Sequence, residues 1–156
     1  MDFVIRLRQR DAERAAALQS RLRLRDISLY KCSVDGAGPP LETIEPFTLK
    51  AELDSELVLQ DASGVDFAVT LRVDRDEPVA FHIHATFLAR YAFEERSMKA
   101  SNSELEAFRK SHAVLAVWPY LREFVQTVAA RMGFPAEPLP LLRLVLQEPS
   151  GRRART

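Results

Sequence analysis

From Val79 to Phe93 every odd-numbered residue is apolar: Val79, Phe81, Ile83, Ala85, Phe87, Ala89, Tyr91 and Phe93. A period of two belongs to a strand with one face turned to a core and the other to water. The alternation recurs in Val65, Phe67, Val69, Leu71 and Val73, set against Asp66, Thr70, Arg72 and Asp74. It appears again in Phe47, Leu49, Ala51 and Leu53, set against Thr48, Lys50, Glu52 and Asp54. Turn residues from Asp61 to Gly64 and from Asp74 to Pro78 separate the three runs, which predicts an antiparallel meander. Residues 21 to 34 read as a fourth strand. Leu22 and Leu24 share one parity and Ile27 and Leu29 the other, so a bulge is expected at Arg25 and Asp26. The four strands predict one sheet, apolar on one face.

Elsewhere the period is that of helices. Ala12, Ala15, Ala16 and Leu18 predict a short N-terminal helix over Asp11 to Ser20. Ser101 or Ser103 suits a helix N-cap, with Glu104 and Glu106 close behind and Leu105 and Phe108 as a small apolar stripe. A second helix is predicted to start at Pro119, whose fixed φ suits the first helical position. It would carry Leu121, Phe124, Val125, Val128, Ala129 and Met132 on one face. Gly133 stands at the expected left-handed C-cap and Pro135 blocks continuation. The very apolar run from Leu139 to Leu146 is too short and too Pro-flanked to assign. Strands before helices give an α+β class, with helices packed on one side of an antiparallel sheet.

At 156 residues the chain is one domain's worth; residues 1–149 are expected to form it and 150–156 to be a disordered basic tail. The Gly- and Pro-rich stretch from Gly36 to Pro40 punctuates elements within that domain. The formal net charge is zero, without the basic excess of an electrostatic nucleic-acid binder. No apolar run approaches the ~20 residues of a membrane span. The start, from Met1 to Arg6, lacks a signal-like pattern, and a single Cys32 excludes an internal disulfide. A cytoplasmic home is the expectation.

Few residues suggest chemistry. There is no Gly-rich phosphate loop, Ser elbow or helical His-Glu pair. Cys32 falls in a strand with no basic cluster or helix N-terminus beside it, so it reads as a tolerated thiol. His82 and His84 lie two apart on a strand and share a face, a geometry that holds two of a metal's ligands. The only further imidazole is His112, in another element, and the pair reads as polar decoration of the wet face. No metal, cofactor or catalytic residue is assigned, and the chain is expected not to be an enzyme. What stands out is surplus apolar character in irregular segments: Ile44, Phe47, Phe134, Leu139, Leu141 and Leu142. Such residues either complete a core or line an open groove; spacing alone favours the core.

Three segments resemble the SecB export chaperones. Leu22-Arg23-Leu24-Arg25-Asp26-Ile27-Ser28-Leu29-Tyr30 is similar to the family's first strand. Trp118-Pro119-Tyr120-Leu121-Arg122-Glu123 is similar to the start of its long helix. Gly133-Phe134-Pro135, with Leu139 and Pro140 beyond, is similar to the segment that follows it. Together the segments cover about residues 21 to 146 in the family's order. The Ala-rich first helix and the insertion from Glu94 to Ser111 look more like the SecB-like chaperones that guard toxin–antitoxin systems.

The resemblance implies a four-stranded antiparallel sheet with a long C-terminal helix on one side, plus short N-terminal and inserted helices. It implies a homotetramer, a dimer of dimers, that holds unfolded preproteins or an antitoxin without ATP. Client-binding residues would be Phe47, Leu49, Ala51, Leu53, Trp118, Leu121, Val125, Phe134, Leu139 and Leu141, with Lys50, Glu52 and Asp54 as a charged rim. Asp26 matches an acidic position that contacts the SecA translocase motor; Tyr30 and His84 stand at two others. Gly151 to Thr156 replaces the family's zinc-binding tail. The competing expectation is a non-catalytic adaptor that binds one folded partner through the sheet face around His82 and His84. A small metal-dependent or lipid-handling enzyme would need a third ligand or an enclosed cavity, neither of which the sequence displays.

Overall fold

The computed structural model describes residues 3–36, 50–75, 80–96, 98–133 and 139–147. Strands β1 (Val4–Arg8), β2 (Leu22–Gly36), β3 (Lys50–Gln60), β4 (Gly64–Arg75), β5 (Phe81–Phe93) and β6 (Arg143–Gln147) form two sheets. The larger is four-stranded and antiparallel, in the order β2-β5-β4-β3. The meander is therefore β3-β4-β5, and β2 closes onto the far side of β5. The expected bulge is present as a register shift between Leu24 and Asp26; a second lies between Leu29 and Lys31.

The alternation decides which face is dry. Val65, Phe67, Val69, Leu71 and Val73 of β4 and Phe81, Ile83, Ala85 and Ala89 of β5 are buried against the helices. Tyr91 is wedged edge-on against Phe67 and Phe108, and burial pushes its phenol up to about 12. On the open face, Thr70 and Thr86 share a hydrogen bond of 2.7 Å, and Arg90 and Asp66 approach to 3.7 Å. Gly64, at the start of β4, runs so close to β5 that a Cβ there would stand 2.0 Å from the Tyr91 carbonyl oxygen.

Helix α1 (Gln9–Gln19) is where the Ala-rich segment predicts one, starting two residues earlier. The C-terminal helix departs from expectation. It runs without a break from α2 (Asn102–Phe108) through a π-helical turn (Arg109–Ala113) into α3 (Val114–Arg131). Ser101 caps it, its hydroxyl accepting from the Glu104 amide at 3.2 Å while the Glu104 carboxylate accepts from the Ser101 amide at 3.0 Å. Pro119 thus lies inside the helix instead of opening it. The run tolerates a residue without an N–H because the packed stripe continues on both sides: Val114, Val117 and Trp118 before, Leu121, Val125 and Ala129 after, all buried. Gly133, at φ 78°, ends the helix as expected.

The unassigned run after Leu139 resolves as β6, which pairs in parallel with β1 in a two-stranded sheet. Neither β1 nor this pairing was predicted. The Arg143 amide donates to the Phe3 carbonyl at 3.0 Å, and the Phe3 ring packs at a tilt against Trp118 with centroids 4.7 Å apart, so both ends of the described chain meet over α3. Among the described residues, no helix is long and apolar enough to cross a membrane.

Candidate peptide-binding surface

Helices cover the apolar sheet face only over its middle. On β2, Leu24, Leu29 and Val34 pair with Tyr91, Phe87 and Ile83 and so point to the helix side, yet all three are exposed. On β3, Ala51 and Leu53 pair with Val73 and Leu71 and are half-buried against the core. Further along the same edge strand a register shift between Leu57 and Leu59 leaves Leu57, Val58 and Leu59 exposed in succession.

Beside Leu53 lies an open cleft of about 300 Å³, walled by Ile5, Leu53, Asp54, Ser55, Arg109, Lys110 and Val114. The π turn shapes it. An extra residue in that turn rotates Arg109 toward β3, where its guanidinium donates to the Ser55 carbonyl and hydroxyl and pairs with Glu106. Hydrogen bonds from Arg109 and Lys110 hold the Glu106 carboxyl at about 2, well below the usual carboxylate range. One side of the π turn is dry: Ser111 is buried and donates to the Ala107 carbonyl at 2.6 Å, and His112 stacks on Phe108 at 5.3 Å.

The residues expected to bind a client divide into three groups. Phe47, Leu49 and Phe134 lie outside the described residues, as do residues 150–156. Leu53 borders the open cleft, Ala51 is half-buried against the core two residues before it, and Leu141 is 70% exposed. Trp118, Leu121, Val125 and Leu139 are 3%, 0%, 5% and 5% exposed. Those four are core, not groove lining: Trp118, Leu121 and Val125 fall on the helical stripe that packs the sheet, and Leu139 belongs to the return segment laid over it. The return segment seals that stripe: Trp118 Nε1 donates to the Pro140 carbonyl at 3.2 Å and Arg122 Nε to the Leu139 carbonyl at 2.5 Å. Ile5, Val114, Arg109 and Lys110 were missed. Val114 and Arg109 belong to a helix the sequence reading broke at Pro119, and Ile5 to a strand with no local signal.

Asp26 sits in a second, polar cleft of about 460 Å³ with Arg25, Asp61, Ser63, Asp66 and Arg90. There the Ser63 hydroxyl and the Ser63 and Gly64 amides donate to Asp61 and hold its carboxyl below its ordinary value. On the open sheet face, His82 and His84 both meet Asp74 of the neighbouring strand. His82 Nδ1 stands 2.6 Å and His84 Nε2 2.8 Å from the same Asp74 Oδ1. Partial burial alone would raise the Asp74 carboxyl; the two imidazole hydrogen bonds outweigh it and lower it.

With this geometry in hand, solved structures can be compared. A SecB-like chaperone of Mycobacterium tuberculosis, Rv1957, in complex with a ChAD peptide from the Rv1956 HigA1 antitoxin, superimposes with a TM-score of 0.71. The match covers 85% of this chain and 99% of that one. The chain has the SecB-like fold. Sequence identity to that SecB-like chaperone is 20%, so what the two share is architecture. A Streptococcus agalactiae protein of unknown function matches with a TM-score of 0.47 at 12% identity, over 77% of this chain and 97% of that one. No protein-family model and no curated protein matches the sequence.

Proposed function

We propose that this protein is an ATP-independent chaperone that holds unfolded polypeptide, with an aggregation-prone antitoxin as the favoured client and export precursors as the alternative. The observation that carries this reading is the uncovered apolar surface along both edges of a SecB-like sheet: Leu24, Leu29 and Val34 on β2, and Leu57, Val58 and Leu59 on β3. Scattered exposed leucines are ordinary, but apolar rows along two edge strands are not. An extended client gains main-chain hydrogen bonds from an edge strand and side-chain contacts from an apolar floor, with little demand on its sequence. That the structurally similar mycobacterial chaperone was solved with an antitoxin peptide supports the choice of client.

The proposed client contacts are Phe47, Leu49, Ala51, Leu53, Phe134 and Leu141, extended by Ile5 and Val114 of the cleft. Trp118, Leu121, Val125 and Leu139 enter as the packed support beneath it. The same uncovered rows suit self-association, and a cytoplasmic homotetramer would multiply weak contacts along one client chain. Asp26 is the proposed contact to the SecA motor, should precursors be the cargo. Nothing in the reading calls for catalysis.

The test is suppression of light scattering by an unfolding client, without nucleotide, at stoichiometric chaperone. Protection is expected, and Leu53→Asp should weaken it while leaving the far-UV spectrum unchanged. No slowing of aggregation by the wild type would overturn the reading. Protection that survives Leu53→Asp and fails on substitution of the His82 and His84 face would favour the adaptor alternative.

A further inference from the structure

The open face of the sheet carries a cluster that a chaperone's apolar rows do not require. Asp74 and His82 are direct cross-strand partners on β4 and β5, and His84 is the next residue on the same face. Their ligand atoms all lie within 4.8 Å of one another, and both imidazoles already aim a ring nitrogen at one carboxylate oxygen.

We propose that Asp74, His82 and His84 form a binding site for a divalent transition-metal ion of the zinc class. Two imidazoles with one carboxylate select borderline ions such as Zn²⁺, Co²⁺ or Ni²⁺ over Mg²⁺ or Ca²⁺, which prefer all-oxygen shells. A tetrahedral ion with bonds of ~2.0–2.1 Å holds its ligand atoms ~3.3 Å apart. Reaching that spacing asks the Asp74 oxygen to withdraw from the rings by roughly 0.5–0.7 Å and ligand atoms now as far as 4.8 Å apart to close by up to ~1.5 Å, within reach of χ rotations of half-exposed side chains. Each ring would present to the ion, in deprotonated form, the nitrogen that now faces Asp74 Oδ1. The strands that carry the ligands are the two central ones of the sheet, so the backbone framework is held rigidly on both sides.

All three side chains are partly open to solvent, so a bound ion would keep at least one outward position. Asp74, His82 and His84 are the ligands the fold brings together, so water would fill that outward position. The sequence reading looked for a third imidazole and found only distant His112. The third ligand is a carboxylate eight residues before His82, brought level with it by the β4-β5 register.

The test uses tag-free, full-length protein stripped with chelator. Co²⁺ is titrated with visible absorption as the readout, and Zn²⁺ by calorimetry. One ion per chain at submillimolar affinity is expected, with ligand-field bands from nitrogen and oxygen donors. Asp74→Asn and His84→Ala should each weaken binding more than about tenfold, and His112→Gln should leave it unchanged. Should His84→Ala fail to fold, shifts of the His82 and His84 ring resonances on adding Zn²⁺ to the wild type serve instead. Absence of submillimolar binding, affinity unmoved by Asp74→Asn, or ring signals that do not respond to Zn²⁺ would each overturn the proposal.

Discussion

Leu121 decides between two pictures of the long helix, one in which its stripe greets a client and one in which it is sealed. The side chain is 0% exposed, set on α3 in a stripe that includes Val117, Trp118 and Val125. Truncating such a leucine to alanine removes about 2–5 kcal/mol through lost transfer energy and the cavity left behind. Helix α3 packs against β5 and β4 and Leu121 belongs to that continuous buried core, so collapse into the void is restricted. We take the middle of the range, about 3 kcal/mol. In a chain of this length each kcal/mol moves the midpoint about 2–4 °C, so Leu121→Ala should melt roughly 6–12 °C lower. Leu141→Ser, at a position 70% exposed, should move it by less than about 2 °C. Melting is followed by circular dichroism, and client affinity is measured well below both midpoints. Leu121→Ala is expected to lose stability and keep affinity, Leu141→Ser the reverse. A Leu121→Ala protein with unchanged melting and sharply reduced affinity would refute the assignment of the α3 stripe to the core.

Other outcomes follow from single contacts. Gly64→Ala places a methyl group 2.0 Å from the Tyr91 carbonyl oxygen, so the denaturant midpoint should fall by the equivalent of about 2 kcal/mol or more. Ser101→Ala removes one half of the α2 capping box and should cost about 1 kcal/mol in the same assay, recovered by Ser101→Asp. Burial holds the His112 imidazole below its ordinary value of 6.5, which makes protonation easier in the unfolded chain. Its contribution to stability is therefore complete above 6.5 and declines as the pH falls below it. Urea midpoints compared between neutral and mildly acidic buffer should show a smaller acid loss in His112→Gln than in the wild type.

How far the sequence could be read depended on how local each signal was. Val65 to Val73 and Val79 to Phe93 announce their strands because the period of two is carried by neighbours along the chain. The Arg25–Asp26 bulge was visible as a change of parity, and Gly133 as the one residue type at ease with positive φ. Pro119 misled for a matching reason: its local preference for a helix start was overridden by tertiary packing on both sides of it. β1 and β6 were not legible, since each is five residues long and their partnership spans nearly the whole chain. The candidate client contacts were read as one groove drawn from a strand, the long helix and the segment after it, whereas the fold sends Trp118 and Leu121 inward and leaves Leu141 out.

Side-chain periodicity alone sufficed to specify a sheet with one dry face, a helix-rich C-terminal half and an α+β class, because burial of a face is written into spacing along the chain. Which apolar residues remain uncovered, and the meeting of Asp74 with His82 and His84, were decided only by strand order and register. Those depend on pairing between residues far apart in the chain, and no periodicity within one segment records its partner.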